Sequence, residues 1–155
     1  MQVFQVNISD GGVPKRACNT ASITAAGVER DRQRDLEVHG GPERAVCLYS
    51  LERILSLQAE GHPIYPGAIG ENLTLSGVDW EQIVPGTRLR IGEQVLLEVT
   101  RYTIPCNNIA PAFKEGYYGR VSPNQHPGWA RVYARVLQPG SVQTSDPVEI
   151  VAAAD

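Results

Sequence analysis

The sequence predicts a strand-dominated single domain, a closed or nearly closed β-barrel with a few helices packed outside it. Three observations carry this. Glycine (15) and proline (11) are scattered along the 155 residues rather than gathered in a linker, which suits short strands joined by tight turns. Pro-Gly recurs at Pro66-Gly67, Pro85-Gly86, Pro127-Gly128 and Pro139-Gly140. Proline presets φ for the first central turn position and glycine accepts the positive φ of the second. Between the turns lie short runs with the period of strands. One core suffices at this length, so 1–155 is read as one domain.

The elements follow in order. Phe4, Val6 and Ile8 alternate with Gln5 and Asn7, the pattern of a half-buried first strand. Ala45-Val46-Cys47-Leu48-Tyr49 is continuously apolar, as in a strand covered on both faces. Ser50 caps a helix in which Leu51, Ile54, Leu55 and Ala59 fall on one face, and Gly61 ends it before His62-Pro63. Asn72–Leu75 and Arg88–Ile91 alternate, and Gly92-Glu93 turns the chain into Gln94–Thr100. A second, shorter helix is expected from Pro105 through Ile109 towards Phe113, since proline favours the first helical position. Trp129–Leu137 sets Val132, Ala134 and Val136 against Arg131, Tyr133 and Arg135, and Val148–Val151 closes the set.

Composition excludes several functions. A net charge of −3 argues against non-specific nucleic-acid binding. The run from Glu29 to Asp35 mixes signs and reads as a solvated loop. Cys18, Cys47 and Cys106 contain no Cys-x-x-Cys pair, so neither a zinc knuckle nor a thioredoxin-type site is expected. No secretory leader is recognisable, and no run of about 18 apolar residues exists to span a membrane. A cytoplasmic, reduced protein is expected.

Four stretches are rich in the residues of sites. In YTIPCNNIAP, Cys106 lies near a predicted helix start, where free N–H groups favour a thiolate or an anion. A small buried residue filling space is the alternative there. Cys47, mid-strand, and Cys18, beside Lys15 and Arg16, read as structural. In HGGPERAV, His39 and Arg44 flank glycines that would let a ligand approach main-chain N–H groups. PGAIGENLTL sets Glu71 and Asn72 where a plain hairpin would take apolar residues, and HPGW places His126 at another turn before a strand. Each stretch alone fits turn chemistry as well as a site.

Taken together and in this order, HGGPERAVCLYS, PGAIGENLTL, VPGTRLRIGEQVLLEVT, the TIPC cysteine and HPGWARVYARVLQPG resemble the MOSC domain family. The family takes its name from the C-terminal domain of molybdenum cofactor sulfurases, and the likeness is greatest to small stand-alone bacterial members. The resemblance implies a mostly antiparallel β-barrel with flanking helices. It also implies a molybdenum cofactor (molybdenum-molybdopterin) with Cys106 as ligand to the metal and as the catalytic residue. Asn72 and Ser50 match pocket-lining positions, Lys15 falls where relatives carry a lysine near the cofactor phosphate, and His39 and Arg44 are taken from their place in the motif. The activity implied is reduction of N-hydroxylated small molecules, hydroxylaminopurine base analogues among them. No flavin, haem or iron–sulfur signature is present, so a separate reductase would supply electrons. A cofactor or sulfur carrier without turnover is the second reading. A Cys106 thiol hydrolase with His39 or His126 as base is the third.

The chain departs from the family pattern at three places. Arg30-Asp31 and Ser145-Asp146 stand where Gly-Asp is common. Tyr102 and Thr103 stand where Pro-Arg is common, and Arg101 is the expected replacement for the lost arginine.

Overall fold

Described residues of the computed structural model are 1–31 and 41–152. They contain β1 (Gln2–Ile8), β2 (Arg16–Cys18), β3 (Thr20–Thr24), β4 (Gly27–Val28), β5 (Val46–Ser50), β6 (Leu73–Ser76), β7 (Arg88–Ile91), β8 (Val95–Tyr102), β9 (Val132–Gln138), β10 (Gly140–Gln143) and β11 (Val148–Val151). Eight strands form one sheet in the order β11-β7-β8-β9-β5-β6-β1-β2, and β10-β3-β4 form a second. Neighbours are antiparallel except β5 and β6. A parallel pair needs a crossover, and α1 (Leu51–Ala59), the one α-helix among the described residues, supplies it. All five residues of β5 are buried, as a continuous apolar run paired on both sides requires.

The sheet is mostly antiparallel, as expected, but it does not close into a barrel. Its ends, β11 and β2, remain unpaired with each other. The start of β1 meets the residues before β11 at the Gln2↔Pro147 bridge, with Val3 N–H donating to Asp146 O (2.9 Å) and Ser145 N–H to Val3 O (2.8 Å). Proline has no N–H with which to continue such a ladder, and β1 is already flanked by β6 and β2.

Three local expectations also change. A bulge between Val3 and Gln5 shifts the phase of β1 against β6, so Val3 and Val6 enter the core while Phe4 is exposed. In α1 the buried residues are Ile54 and Leu57, and Leu55 faces solvent. Beyond β8 the helix is a six-residue 3₁₀ turn, Asn107–Ala112, with Cys106 rather than Pro105 at its boundary. The short strands β2, β3, β4 and β10 had no counterpart in the sequence reading, although Ala21 and Ile23 do alternate inward in β3.

Two aromatic side chains anchor the segment that enters β9. Tyr49 donates its hydroxyl to Trp129 O (2.7 Å), and Trp80 donates Nε1–H to Ala130 O (2.9 Å). The Trp129 ring carries Arg53 and Arg120 guanidinium groups at 4.5 and 4.0 Å from its centre. No helix among the described residues is long and apolar enough to cross a membrane.

Candidate functional site

The loop carrying Cys106 is tied to the segment before β9. A bulge between Val99 and Arg101 re-aims the end of β8, turning both Arg101 and Tyr102 to solvent. Thr103 then turns inward, and its N–H donates to Arg131 O (2.9 Å). Its buried side chain stands beside the Cys47 thiol and the Tyr133 hydroxyl. Burial pushes the Cys47 thiol up and the Tyr133 hydroxyl to about 12, so both stay neutral. Cys106 follows as a half-buried free thiol at the boundary of the 3₁₀ turn.

Strand period groups Arg131 with Tyr133 and Arg135, opposite Val132, Ala134 and Val136. Arg131 is buried, just ahead of β9. Its Nη1 donates to Ile69 O (2.6 Å) in the PGAIGEN loop, while its Nε meets no acceptor. It forms no ion pair among the described residues. A buried guanidinium in this state is costly unless something anionic completes it. Gly70 explains how the loop comes so close. A Cβ there would lie 2.9 Å from Val13 Cγ1, 3.9 Å from Lys15 Cε and 4.0 Å from Arg131 Nη1. Two cations therefore border one glycine. Arg101, the expected replacement for the family's arginine, is instead solvent-exposed.

Lys15 is buried and its Nζ pairs with Asp31 Oδ2 (2.6 Å). The same oxygen accepts from Asn72 Nδ2 (3.0 Å), and Asp31 Oδ1 accepts from Ser9 N–H (2.9 Å). Asp31 is thus no part of a solvated charge run; three donors from three segments hold it inside. Asn72 is fully engaged as well. Its Oδ1 accepts from Cys47 N–H (2.9 Å), and its backbone bonds to Cys47 and Asn7. Next to it Glu71 is fully buried, and desolvation pushes its carboxyl up, against hydrogen bonds from the Gly67 backbone and Thr74.

Of the expected site residues, Lys15 and Asn72 are brought together, with Arg131 added from outside the expected set. Cys106 follows three residues after Thr103, whose N–H is bonded to Arg131 O, and makes no hydrogen bond to Lys15, Asn72 or Arg131 among the described residues. Ser50 caps α1, its Oγ accepting from Arg53 N–H (3.1 Å), and it lines a cleft of about 230 Å³ with Glu52 and Trp80. Arg44 ends a 3₁₀ turn with its guanidinium 6.0 Å from the Tyr133 ring centre. His39 lies outside the described residues. His126 Nε2 and the Tyr117 hydroxyl are 2.9 Å apart, and His62 Nδ1 accepts from Lys114 N–H. Neither histidine hydrogen-bonds to Cys106 among the described residues, which removes the direct base a thiol hydrolase would draw from His126. The signal for Arg131 was its place in HPGWAR, directly after a Pro-Gly turn where the strand period has not yet begun.

Comparison with known proteins places the fold and the family. The sequence pattern of the MOSC domain matches residues 35–149. The uncharacterised protein YflK of Bacillus subtilis is 33% identical over 142 residues, covering 90% of this chain and 63% of that protein. YiiM of Escherichia coli is 31% identical over 134 residues, covering 83% and 58%. The crystal structure of YiiM from Escherichia coli superposes with a TM-score of 0.71 at 25% identity, over 99% of this chain and 72% of that one. A Gibberella moniliformis protein named as a reductase is 32% identical over 118 residues, covering 73% of this chain and 20% of that protein. The chain thus spans about three-fifths of the length of the first two relatives. The chain belongs to the MOSC domain family, a family of domains related to the molybdenum cofactor.

Proposed function

We propose that the protein binds the molybdenum cofactor and reduces N-hydroxylated small molecules with electrons from a separate reductase. The observation that carries this is Arg131. It is a buried guanidinium with an acceptor-less Nε, bonded through its carbonyl to the loop that presents Cys106. Beside it at Gly70 stands Lys15, already paired with Asp31, so the unmet Arg131 Nε is the donor that a phosphate or another anionic group would complete. The residues present therefore fit the cofactor: Arg131 and Lys15 for its anionic part, and the Cys106 thiolate for a soft metal already held by sulfur. When bound, the cofactor supplies two-electron chemistry at a metal that can take oxygen from an N–O bond.

The protein's own residues bind and orient. Asp31 and Asn72 hold Lys15 beside Gly70, Thr103 fixes the Cys106 loop against Arg131, and Ser50, Arg44 and His39 are the remaining cofactor contacts in this reading. The overall change is R–NHOH + 2e⁻ + 2H⁺ → R–NH₂ + H₂O: the N–O bond breaks, and N–H and O–H bonds form. The fungal relative named as a reductase, in which this unit matches one-fifth of the length, supports a redox setting. The test is metal and pterin analysis of protein made in a host that synthesises the cofactor. Molybdenum is expected in the unaltered protein and lost in Cys106→Ala, whereas Arg131→Met should lose the pterin too. Full metal retention by Cys106→Ala overturns the ligand assignment.

The second reading is a carrier that holds the cofactor or a sulfur without turnover, since the family match supports a cofactor-related domain and does not itself require turnover. Loaded protein that fails to reduce a hydroxylamino base with any supplied reductase would establish that reading instead.

A further inference from the structure

His62 stands at the junction between the end of α1 and the chain that follows Cys106. Its backbone belongs to the helix end, its N–H donating to Leu57 O (3.1 Å). Its buried ring reaches across, where Nδ1 accepts from Lys114 N–H (3.0 Å) and the imidazole packs edge-to-face with Phe113. Lys114 opens a short 3₁₀ turn, Lys114–Gly116, and the first N–H groups of a helical turn have no partner within it. His62 supplies the acceptor that this turn lacks. The same two segments wall a cleft of about 110 Å³, with Pro63 and Tyr65 on one side and Ile109 and Ala112 on the other. His62 directly precedes the first wall, and Lys114 lies two residues beyond the second.

The Lys114 bond fixes the ring's proton. An imidazole nitrogen that accepts from an N–H carries no proton itself, so the neutral ring is protonated at Nε2. That nitrogen faces Glu60 Oε1 (3.5 Å). Arg120 grips the Glu60 carboxylate with two bonds (2.9 and 2.8 Å) and holds it below the ordinary carboxylate range, so Glu60 is ionised wherever a histidine titrates. The other charge nearby belongs to Lys114, whose Cδ lies 3.6 Å from where a Cβ on Gly61 would sit. A second ring proton lands on Nδ1, against the Lys114 N–H. Two donors cannot bond to each other, so the contact is lost, while the charged ring is drawn towards Glu60.

We propose that His62 is a pH-operated clasp: its neutral imidazole ties the Lys114–Gly116 turn to the end of α1, and its protonation unties that turn and opens the cleft beside the turn after Cys106. Histidine changes charge between about pH 5 and pH 8 without needing a perturbed environment, and here its accepting nitrogen is committed to a backbone donor. The clasp is a property of the fold and stands whether or not the cofactor binds.

The test is nitrogen-15 NMR of the unaltered protein from about pH 8 to about pH 5, together with amide exchange corrected for its intrinsic pH dependence. At the alkaline end the His62 ring is expected in the Nε2–H form, with the Lys114 amide protected. As the ring protonates, Lys114 should lose about tenfold in protection, the equivalent of one hydrogen bond, with the same midpoint as the ring. The Ile109 and Ala112 signals should shift with it. His62→Asn offers a carbonyl oxygen in place of Nδ1 and no titrating group, so Lys114 should stay protected throughout. His126→Gln, at the separate Tyr117 contact, should leave the transition in place. A neutral ring with its proton on Nδ1, a ring that stays neutral down to about pH 5, or a Lys114 amide that stays protected while the ring titrates overturns the proposal. So does a transition that survives in His62→Asn or vanishes in His126→Gln. The ring and amide readings come from the unaltered protein, so they decide the matter even where a variant fails to fold.

Discussion

At the scale of single residues, the molecule concentrates its risk in buried charge. Asp31 accepts from Lys15, Asn72 and Ser9, so removing it leaves the Lys15 ammonium inside without a counter-charge. Asp31→Ala is expected to destabilise by about 3–5 kcal/mol, read as a fall in the urea midpoint. Glu71 makes a pH-dependent contribution. Desolvation raises its folded carboxyl above the unfolded value of about 4.3. The folded state therefore favours the protonated form, and the stability it gives is full below about pH 4.3 and fades as pH rises through the folded value. Glu71→Gln keeps a neutral group and should flatten that decline in a series of urea midpoints against pH. Two departures from the family pattern have a backbone consequence. Arg30 and Ser145 stand where glycine is common, and both adopt positive φ, 67° and 77°. Ser145→Gly should raise stability by about 1 kcal/mol, the cost of a side chain in the left-handed region, measurable as a rise in melting temperature.

At the scale of elements, caps and bulges decide where side chains point. Ser50 closes the first turn of α1 with one hydrogen bond, and Ser50→Ala should cost about 1 kcal/mol in thermal or urea unfolding. An unchanged stability would show that the crossover, and not the cap, holds that turn. The bulge in β8 sets what Tyr102 and Thr103 do where Pro-Arg is common. It puts Tyr102 outside and Thr103 inside, so the pair that replaces Pro-Arg supplies no cation. In the proposed reading Arg131 takes the charge role from the adjoining segment. Period alone could not show this. Strand alternation was legible in β7 and β8, and β5 was legible as a continuous apolar run covered on both faces. Alternation misled wherever an extra residue entered a ladder, as at Phe4, or where the strand began later than it looked, at Val132 rather than Trp129, as for Arg131.

At the scale of the whole molecule, the strand-dominated class was legible from turn spacing, while the open sheet was not. Closure depends on whether two distant edges meet, and among the described residues the start of β1 meets the chain before β11 only around the Gln2↔Pro147 bridge. The open form predicts a gradient of protection. Amides of β5, β6, β8 and β9, paired on both sides, should exchange slowest by hydrogen–deuterium exchange, and those of β2 and β11 fastest. The candidate site was legible in part for the same reason. Lys15, Asn72 and Cys106 announce themselves by residue type in unusual turns, but the partners that give them meaning, Asp31 and Arg131, come from segments far away in sequence.

The two tryptophans of the chain converge on one short stretch. Trp129 belongs to it, and Trp80 is hydrogen-bonded to its next residue, Ala130, immediately before Arg131. Two nearby guanidinium groups also sit against the Trp129 ring. The molecule therefore carries its own optical gauge of Arg131. Whatever engages Arg131 must pull on a backbone that both indoles feel, so occupancy should register as a change in intrinsic emission without any attached dye.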